Sequence, residues 1–443
     1  VVTGTGLVTA AGAGMAAFES CIDAGESRLK PFADGRGGGG GAPSSWGWNR
    51  LGPEWIGGQV DDGLLASWER LETADDRAVP LAGLALDEAL AGAGLGCAAA
   101  DRPPRAPLRL GLALGTALGP SAALERQVHG GAGTANSPGL AGITLEAYAA
   151  RLHRAACDPA RGLGPGPRSV FSVTCVSGLC ALEQAAADLA FRRADAVLVG
   201  GADTVSASMH AGFRALQALS PSGRLRPFDA EHDGILIAEA ACSTVIEPGR
   251  AAALRGVRPR AAVLAQRLVS DAVHLTSPDL EGKGMARAIA GALGDAGLDP
   301  RDLGGITLTA TGSAVYDRMQ SAAVRSALGE QAVAEIPATT WEPAVGHVLA
   351  ATGVLGIAHA ARVIERGRVP AVPCSPAGGG SSHPHGVGRI DPECRLGYVI
   401  GRPVALRAPC VLALTVGFGG QNGATIIGSL ELAADLAGRS LPA

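Results

Sequence analysis

Between Val170 and Val199 the chain contains a unit that leaves few architectures open. Val170 to Thr174 is largely apolar and β-branched, the composition of a buried strand. Cys175-Val176-Ser177-Gly178 reads as a turn, after which Leu179, Leu182, Ala186 and Leu189 recur at helical spacing. Ala196 to Val199 is a second short apolar strand that ends in Gly200-Gly201. Strand, sharp turn, helix and strand make a βαβ unit, which calls for a parallel sheet covered by helices on both faces.

The rest of the chain extends this α/β pattern. Val1 to Thr9 is a strand turning through glycines, Arg77 to Leu90 an Ala- and Leu-rich helix, and Leu108 to Leu114 a short buried strand. Leu216 to Asp233 is polar, with Pro and Gly, and reads as a long connection. Ala261 to Val269 opens a second α/β series. It continues with a helix over Gly284 to Gly297, a strand over Ile306 to Thr309, a small-residue helix over Val348 to Arg366 and a buried strand over Val411 to Val416. A length of 443 residues exceeds one ordinary core, so two units are expected, 1–250 and 251–443. Gly37 to Ser45 and Pro376 to Val387 are low-complexity loops, and Trp46 and Trp48 after the first are expected to cap the core.

Composition removes several function classes. A net charge of -4 without any Lys/Arg-rich run gives no footprint for nucleic acid or an anionic membrane. No apolar run is long enough for a transmembrane helix, and the start lacks the pattern of a secretory signal. Nine scattered cysteines without zinc spacing read as reduced thiols in a cytoplasm. His383 and His385 form an H-x-H in a loop without a third ligand, so they are expected to be solvent-exposed and no metal is assigned. No glycine-rich loop has the setting of a nucleotide site, so no nucleotide cofactor is expected.

Three places carry chemistry. Cys175 lies where a strand meets a helix start, whose free N–H groups favour a thiolate. Gly417-Phe418-Gly419-Gly420 can bring backbone N–H groups, at Phe418 and Gly419, close to a ligand, to pair with that of Cys175 as an oxyanion hole. His347, after Gly346 and before a small-residue helix, gains weight only from this company.

Taken together, the motifs resemble those of the β-ketoacyl-acyl-carrier-protein synthases. Thr174-Cys175-Val176-Ser177-Gly178 resembles their cysteine elbow, and Arg226-Pro227-Phe228-Asp229 with Asp233-Gly234 and Glu239-Ala240 their R-P-F-D…D-G…G-E-G segment. Asp271 to Thr276 with Pro278 resembles D-A-Y-H-M-T-x-P, Val345-Gly346-His347 the second histidine motif, and Gly417 to Asn422 G-F-G-G-x-N. The match runs from Val1 to about Leu430 and is closest to the discrete synthases of type II fatty-acid and polyketide pathways. It implies a thiolase-like fold of two fused, similar α/β halves in five α-β-α-β-α layers. It also implies an acyl–Cys175 thioester, phosphopantetheine of an acyl carrier protein or coenzyme A as the substrate's carrier, and a homodimer or a heterodimer with another ketosynthase-like subunit. Thr311 and Ser313, with Thr276, would hold pantetheine, while Glu239 and Asp317 would support the site.

Two departures alter the chemistry. The family's H-G-T-G-T reads Thr309-Ala310-Thr311-Gly312-Ser313, so Thr309 replaces the first catalytic histidine. The family's lysine, five residues before the second histidine, is Glu342. Thr309 cannot act as an imidazole, so malonyl decarboxylation should be weak. Glu342 faces Glu239 with a shared proton or an intervening Arg, or it turns to Thr309 or His347. In the last case Cys175, His347 and Glu342 form a nucleophile–base–acid set. Three readings follow: an acyltransferase in polyketide or fatty-acid-type biosynthesis, a non-catalytic chain-length-factor-like partner, and an ordinary decarboxylative synthase.

Overall fold

The computed structural model describes residues 1–32, 55–68, 77–96, 107–129, 143–374 and 385–438. The Gly37 to Ser45 loop, Trp46, Trp48 and His383 lie outside them.

A first sheet is built from β1 (Val2–Thr9), β2 (Gly12–Ala13), β3 (Leu108–Gly115), β4 (Leu163–Phe171), β5 (Ala196–Asp203) and β6 (Ala240–Ile246), in the order β2-β1-β6-β5-β3-β4. A second holds β7 (Ala262–Ser270), β8 (Gly305–Thr307), β9 (Ala338–Thr339), β10 (Cys410–Gly417) and β11 (Gln421–Gly428), in the order β9-β8-β10-β11-β7. Setting the short β2 aside, the sheets have one topology. In each, the first strand pairs antiparallel with the last, the last antiparallel with the one before it, and that strand joins the second and third in parallel. Two similar halves are therefore present, although no repeat is visible in the residues.

Helices fill the layers. Among them, α1 (Ala78–Gly92) and α2 (Leu145–Ala156) cover the outer face of the first sheet. Between the sheets lie α3 (Ser177–Ala190), which follows β4, and α7 (Thr352–Arg366), which follows β9. On the first sheet's rim runs α4 (Ala207–Ala215), while α5 (Lys283–Ala296) and α6 (Ala314–Leu328) cover the far face of the second. Eleven of the fifteen α7 residues are buried, and only its last turn, with Arg362, Glu365 and Arg366, carries charge. Few aromatic residues are available, so Ala, Val, Leu and Ile supply most of this core. Cys175 and His347 thus occupy corresponding places, each between the third strand of its half and the central helix that follows.

Two expectations need correction. The strand before Cys175 is β4, which stops at Phe171 and is only partly buried; among the described residues it lies at the sheet edge, with one neighbour strand instead of two. The long helix over Val348 to Arg366 divides into a 3-10 turn, Leu349–Ala351, and α7.

Glu239 is fully buried and bonds Arg77 through Nε (2.8 Å to Oε1) and Nη2 (2.6 Å to Oε2). Its Oε2 also accepts the Val60 N–H at 3.1 Å. This arginine is the ion-pair partner of Glu239, while the partners of Glu342 lie elsewhere. Losing one member of a buried pair leaves the other charge uncompensated. Glu239→Ala should therefore lower stability in urea unfolding by about 3–5 kcal/mol, and the double change Arg77→Met/Glu239→Leu by much less.

Candidate active site

Beyond β4 the chain makes an elbow at residues 172–176. Thr174 has a φ of 51°, in the left-handed region that β-branched residues avoid, and its hydroxyl donates to the Phe418 carbonyl at 3.2 Å. The Ser177 hydroxyl donates to the Thr174 carbonyl at 2.5 Å and accepts the Val173 N–H at 2.8 Å. These bonds hold a conformation that local preference opposes and leave Cys175, 7% exposed, at the start of α3. A Cβ on Gly417 would stand 2.5 Å from Thr174 Oγ1 and 3.2 Å from the Cys175 nitrogen, so only glycine fits against the elbow.

His347 reaches the same point from the other half. Its N–H donates to the Leu236 carbonyl at 2.8 Å and its carbonyl accepts the Ala238 N–H at 2.9 Å, a bridge that crosses between halves. Its Nε2 lies 3.1 Å from Cys175 Sγ and its Nδ1 3.0 Å from Glu342 Oε1. The other carboxylate oxygen, Oε2, accepts the Ala310 N–H and, at 3.2 Å, the Thr340 hydroxyl. Glu342 is fully buried. The structure thus selects one of the alternatives left open for this carboxylate: it turns to His347.

Burial raises the pKa of Glu342 above the usual carboxylate range, against the opposing pull of His347 and the Ala310 N–H. Burial alone would lower that of His347. The charge and hydrogen bond of Cys175, followed by those of Glu342, outweigh burial and raise it to about 10. An imidazolium between sulfur and carboxylate suits a nucleophile whose proton is held nearby.

The cleft in front of Cys175 takes in about 390 Å³, part of it open to solvent, and is lined on its polar side by His347, Thr311, Ser313 and Tyr316. Phe213, Phe418 and Val416 form much of its apolar side. Phe418 stands at the mouth, its ring centroid 5.5 Å from Phe213 and 6.0 Å from Tyr316. Three expected members are placed differently. Thr309 is buried with its hydroxyl on the Leu414 carbonyl at 2.8 Å, outside the cleft lining, because a short hydroxyl finds a backbone acceptor where an imidazole would extend. The Gly419 N–H is taken by the Leu275 carbonyl at 2.7 Å and is not offered to a ligand. Thr276 lies outside the lining; its carbonyl accepts the Tyr316 hydroxyl at 3.0 Å, so it steadies that ring.

Asp317 supports the floor of the site. Its Oδ2 accepts the Phe228 N–H at 2.8 Å and bonds His232 Nδ1 at 3.0 Å, while His232 Nε2 lies 3.1 Å from Asp391 Oδ2. Arg318 Nε donates to the same Asp391 oxygen at 2.8 Å. Both ring nitrogens are engaged, so this cluster, which includes Cys394 nearby, forms a closed ion network. His385 is buried with Nδ1 accepting the Leu225 N–H at 3.0 Å, against the expectation of an exposed loop histidine; backbone enclosure decides its place. Sequence reasoning passed over Thr340, Ala310 and Asp203. Asp203 binds the Thr116 hydroxyl at 2.8 Å and the N–H groups of Ala117 (2.9 Å) and Ala350 (3.0 Å), tying the two halves together below the site. Its only sequence signal was a carboxylate at the end of an apolar, glycine-containing strand.

A histidine with a raised folded-state pKa holds a proton that the unfolded chain releases near its ordinary value of 6.5. The stabilisation is complete below about pH 6.5 and disappears as pH rises toward about 10. In thermal unfolding followed across that window, the parent should lose stability with rising pH, and His347→Gln should remove this part of the slope.

Comparison with known proteins agrees with this geometry. Residues 1–252 match the β-ketoacyl synthase N-terminal domain and residues 260–374 the β-ketoacyl synthase C-terminal domain. The chain is 31% identical over 439 residues to the tetracenomycin polyketide synthase ketoacyl synthase alpha subunit of Streptomyces glaucescens, covering 96% of each. It is 30% identical over 449 residues to the granaticin polyketide putative β-ketoacyl synthase 1 of Streptomyces violaceoruber, covering 98% of this chain and 99% of the relative. Among solved structures, the ishigamide ketosynthase/chain length factor superposes with a TM-score of 0.78 at 27% identity, over 97% of this chain and 98% of that one. A type II polyketide synthase acyl-carrier protein in complex with its ketosynthase, bound to the hexaketide, gives a TM-score of 0.78 at 25% identity, over 97% and 98%. The fold is thiolase-like, and the chain belongs to the β-ketoacyl synthase family.

Proposed function

We propose that this chain is a ketosynthase-like acyltransferase with Cys175 as the covalent acyl carrier and His347, positioned by Glu342, as the group that moves the proton. The observation that carries this reading is the unbroken chain of contacts, 3.1 Å from Cys175 Sγ to His347 and 3.0 Å from His347 to Glu342. In the loading step Sγ attacks the carbonyl carbon of a thioester on the phosphopantetheine of an acyl carrier protein or on coenzyme A. A new S–C bond forms, the old one breaks, and His347 gives its proton to the departing thiolate. The N–H groups of Cys175 and Phe418 hold the transient oxyanion, and Thr311 and Ser313 hold the pantetheine arm. An acceptor then takes the acyl group from Cys175 in a second transfer.

Release of carbon dioxide from a malonyl thioester is slow in this proposal. Thr309 offers no imidazole to the cleft, and Glu342 sets a negative charge where malonyl already carries one. Among the described residues the edge strand β4 has a neighbour on one side only, which supports pairing with a second subunit of the same family, as a homodimer or a heterodimer. No helix among the described residues is long and apolar enough to cross a membrane. A non-catalytic chain-length-factor-like role gains support from Thr309. The retained contact between Cys175 and His347 argues against it, since a subunit that only shapes a tunnel has no use for it.

Intact-protein mass spectrometry with acyl-carrier thioesters tests the reading. The parent should gain one acyl mass and Cys175→Ala none, while Glu342→Gln should load about 10²-fold more slowly with the fold retained. Equal labelling of parent and Cys175→Ala would overturn the assignment. Fast carbon dioxide release from malonyl-carrier by the parent would overturn the account of Thr309.

A further inference from the structure

Helix α4 turns one face toward the nucleophile. Ser206, its N-cap, with Met209, His210 and Phe213 recurs at spacings of three and four residues, a single stripe on a helix. Met209 is 4% exposed and packs in one apolar cluster with Cys175, Trp55, Val205, Ile235, Ile237 and Leu349. Trp55, 5% exposed, belongs to the same cluster. Its ring stacks on His210 with centroids 3.2 Å apart and an interplanar angle of 19°, and it meets Phe32 edge-on at 6.1 Å. Burial, reinforced by Arg214, lowers the pKa of His210 to about 4, so this wall is neutral as well as apolar. The side chains of this wall are buried in one apolar cluster, and neither Met209 nor Trp55 lines the cleft at Cys175, which must also admit the end of a pantetheine arm.

We infer that Cys175 accepts a short acyl group, acetyl to butyryl in size, because Met209, backed by Trp55 and His210, closes the space behind its sulfur. This rests on the reading of Cys175 as an acyl carrier and adds a substrate class to it. A longer chain must displace Met209, and overpacking a filled wall is unfavourable. The thioether is the unbranched, adaptable element of the wall, so it sets the limit and its truncation should move that limit.

The test compares loading of the protein by acetyl, butyryl and octanoyl thioesters of coenzyme A and of an acyl carrier protein, followed by intact mass with Cys175→Ala as the blank. The parent should load acetyl and butyryl at least tenfold faster than octanoyl, and Met209→Ala should raise the octanoyl-to-butyryl ratio at least tenfold. Octanoyl loading as fast as butyryl in the parent would overturn the inference and leave the acyl-carrier reading intact; this comparison stands even if Met209→Ala does not fold. An unchanged ratio in a folded Met209→Ala would remove Met209 as the limit. No loading by any thioester, while iodoacetamide still alkylates Cys175, would instead overturn the acyl-carrier reading and the inference with it.

Discussion

The site depends on how closely the two central helices approach each other. A Cβ on Gly178, in the first turn of α3, would stand 2.7 Å from a Val354 methyl and 2.8 Å from the Ala350 carbonyl oxygen. One on Gly353, in the first turn of α7, would stand 2.6 Å from Leu179. Glycine at both places lets the helix starts meet almost backbone to backbone. Because α3 begins just after Cys175 and α7 just after His347, that contact brings sulfur and imidazole within reach. The duplicated topology supplies the helices, and the small residues set their separation. Asp203, bonded to Ala117 on one side and Ala350 on the other, fixes the same junction from below.

Charge in the site follows from the pairing of buried carboxylates. Two glutamates from different halves are fully buried here, and neither is left without donors. Glu239 is neutralised by Arg77, while Glu342 meets His347, a backbone N–H and a hydroxyl. A buried carboxylate without such partners would neutralise itself by taking up a proton. The arrangement leaves Glu342 as the negative group closest to His347 and gives the imidazole a lasting reason to carry a proton. A lysine at that place would do the reverse, placing a second positive charge beside the imidazole.

Much of the fold could be read from the residues. Glycines after apolar strands, helical spacing behind Cys175 and the order of five motifs pointed to the cysteine elbow, the Gly417 to Gly420 loop and His347. Strand and helix limits fell within a few residues of those observed, except before Cys175. There the β-branched run ends in an irregular elbow at the sheet edge, because β-branched composition reports extended backbone and not how many neighbours a strand has. Such features are local, since period, glycine and turn chemistry act within a few residues along the chain.

What the sequence determined by itself was therefore the set of backbone forms and the chemical identity of the groups: a cysteine at a helix start, a histidine after a glycine, a carboxylate where a relative has a lysine. What only the tertiary structure decided was where those groups point. Glu342 turned to His347, and Glu239 to Arg77, far away in sequence. Gly419 lost its free N–H to Leu275, Thr309 gave its hydroxyl to Leu414, and Trp55 and Met209 came to stand behind Cys175. Each of these is a contact between elements whose distance is set by strand order and layer packing, and a hydrogen bond's partner depends on that distance rather than on neighbours in the chain.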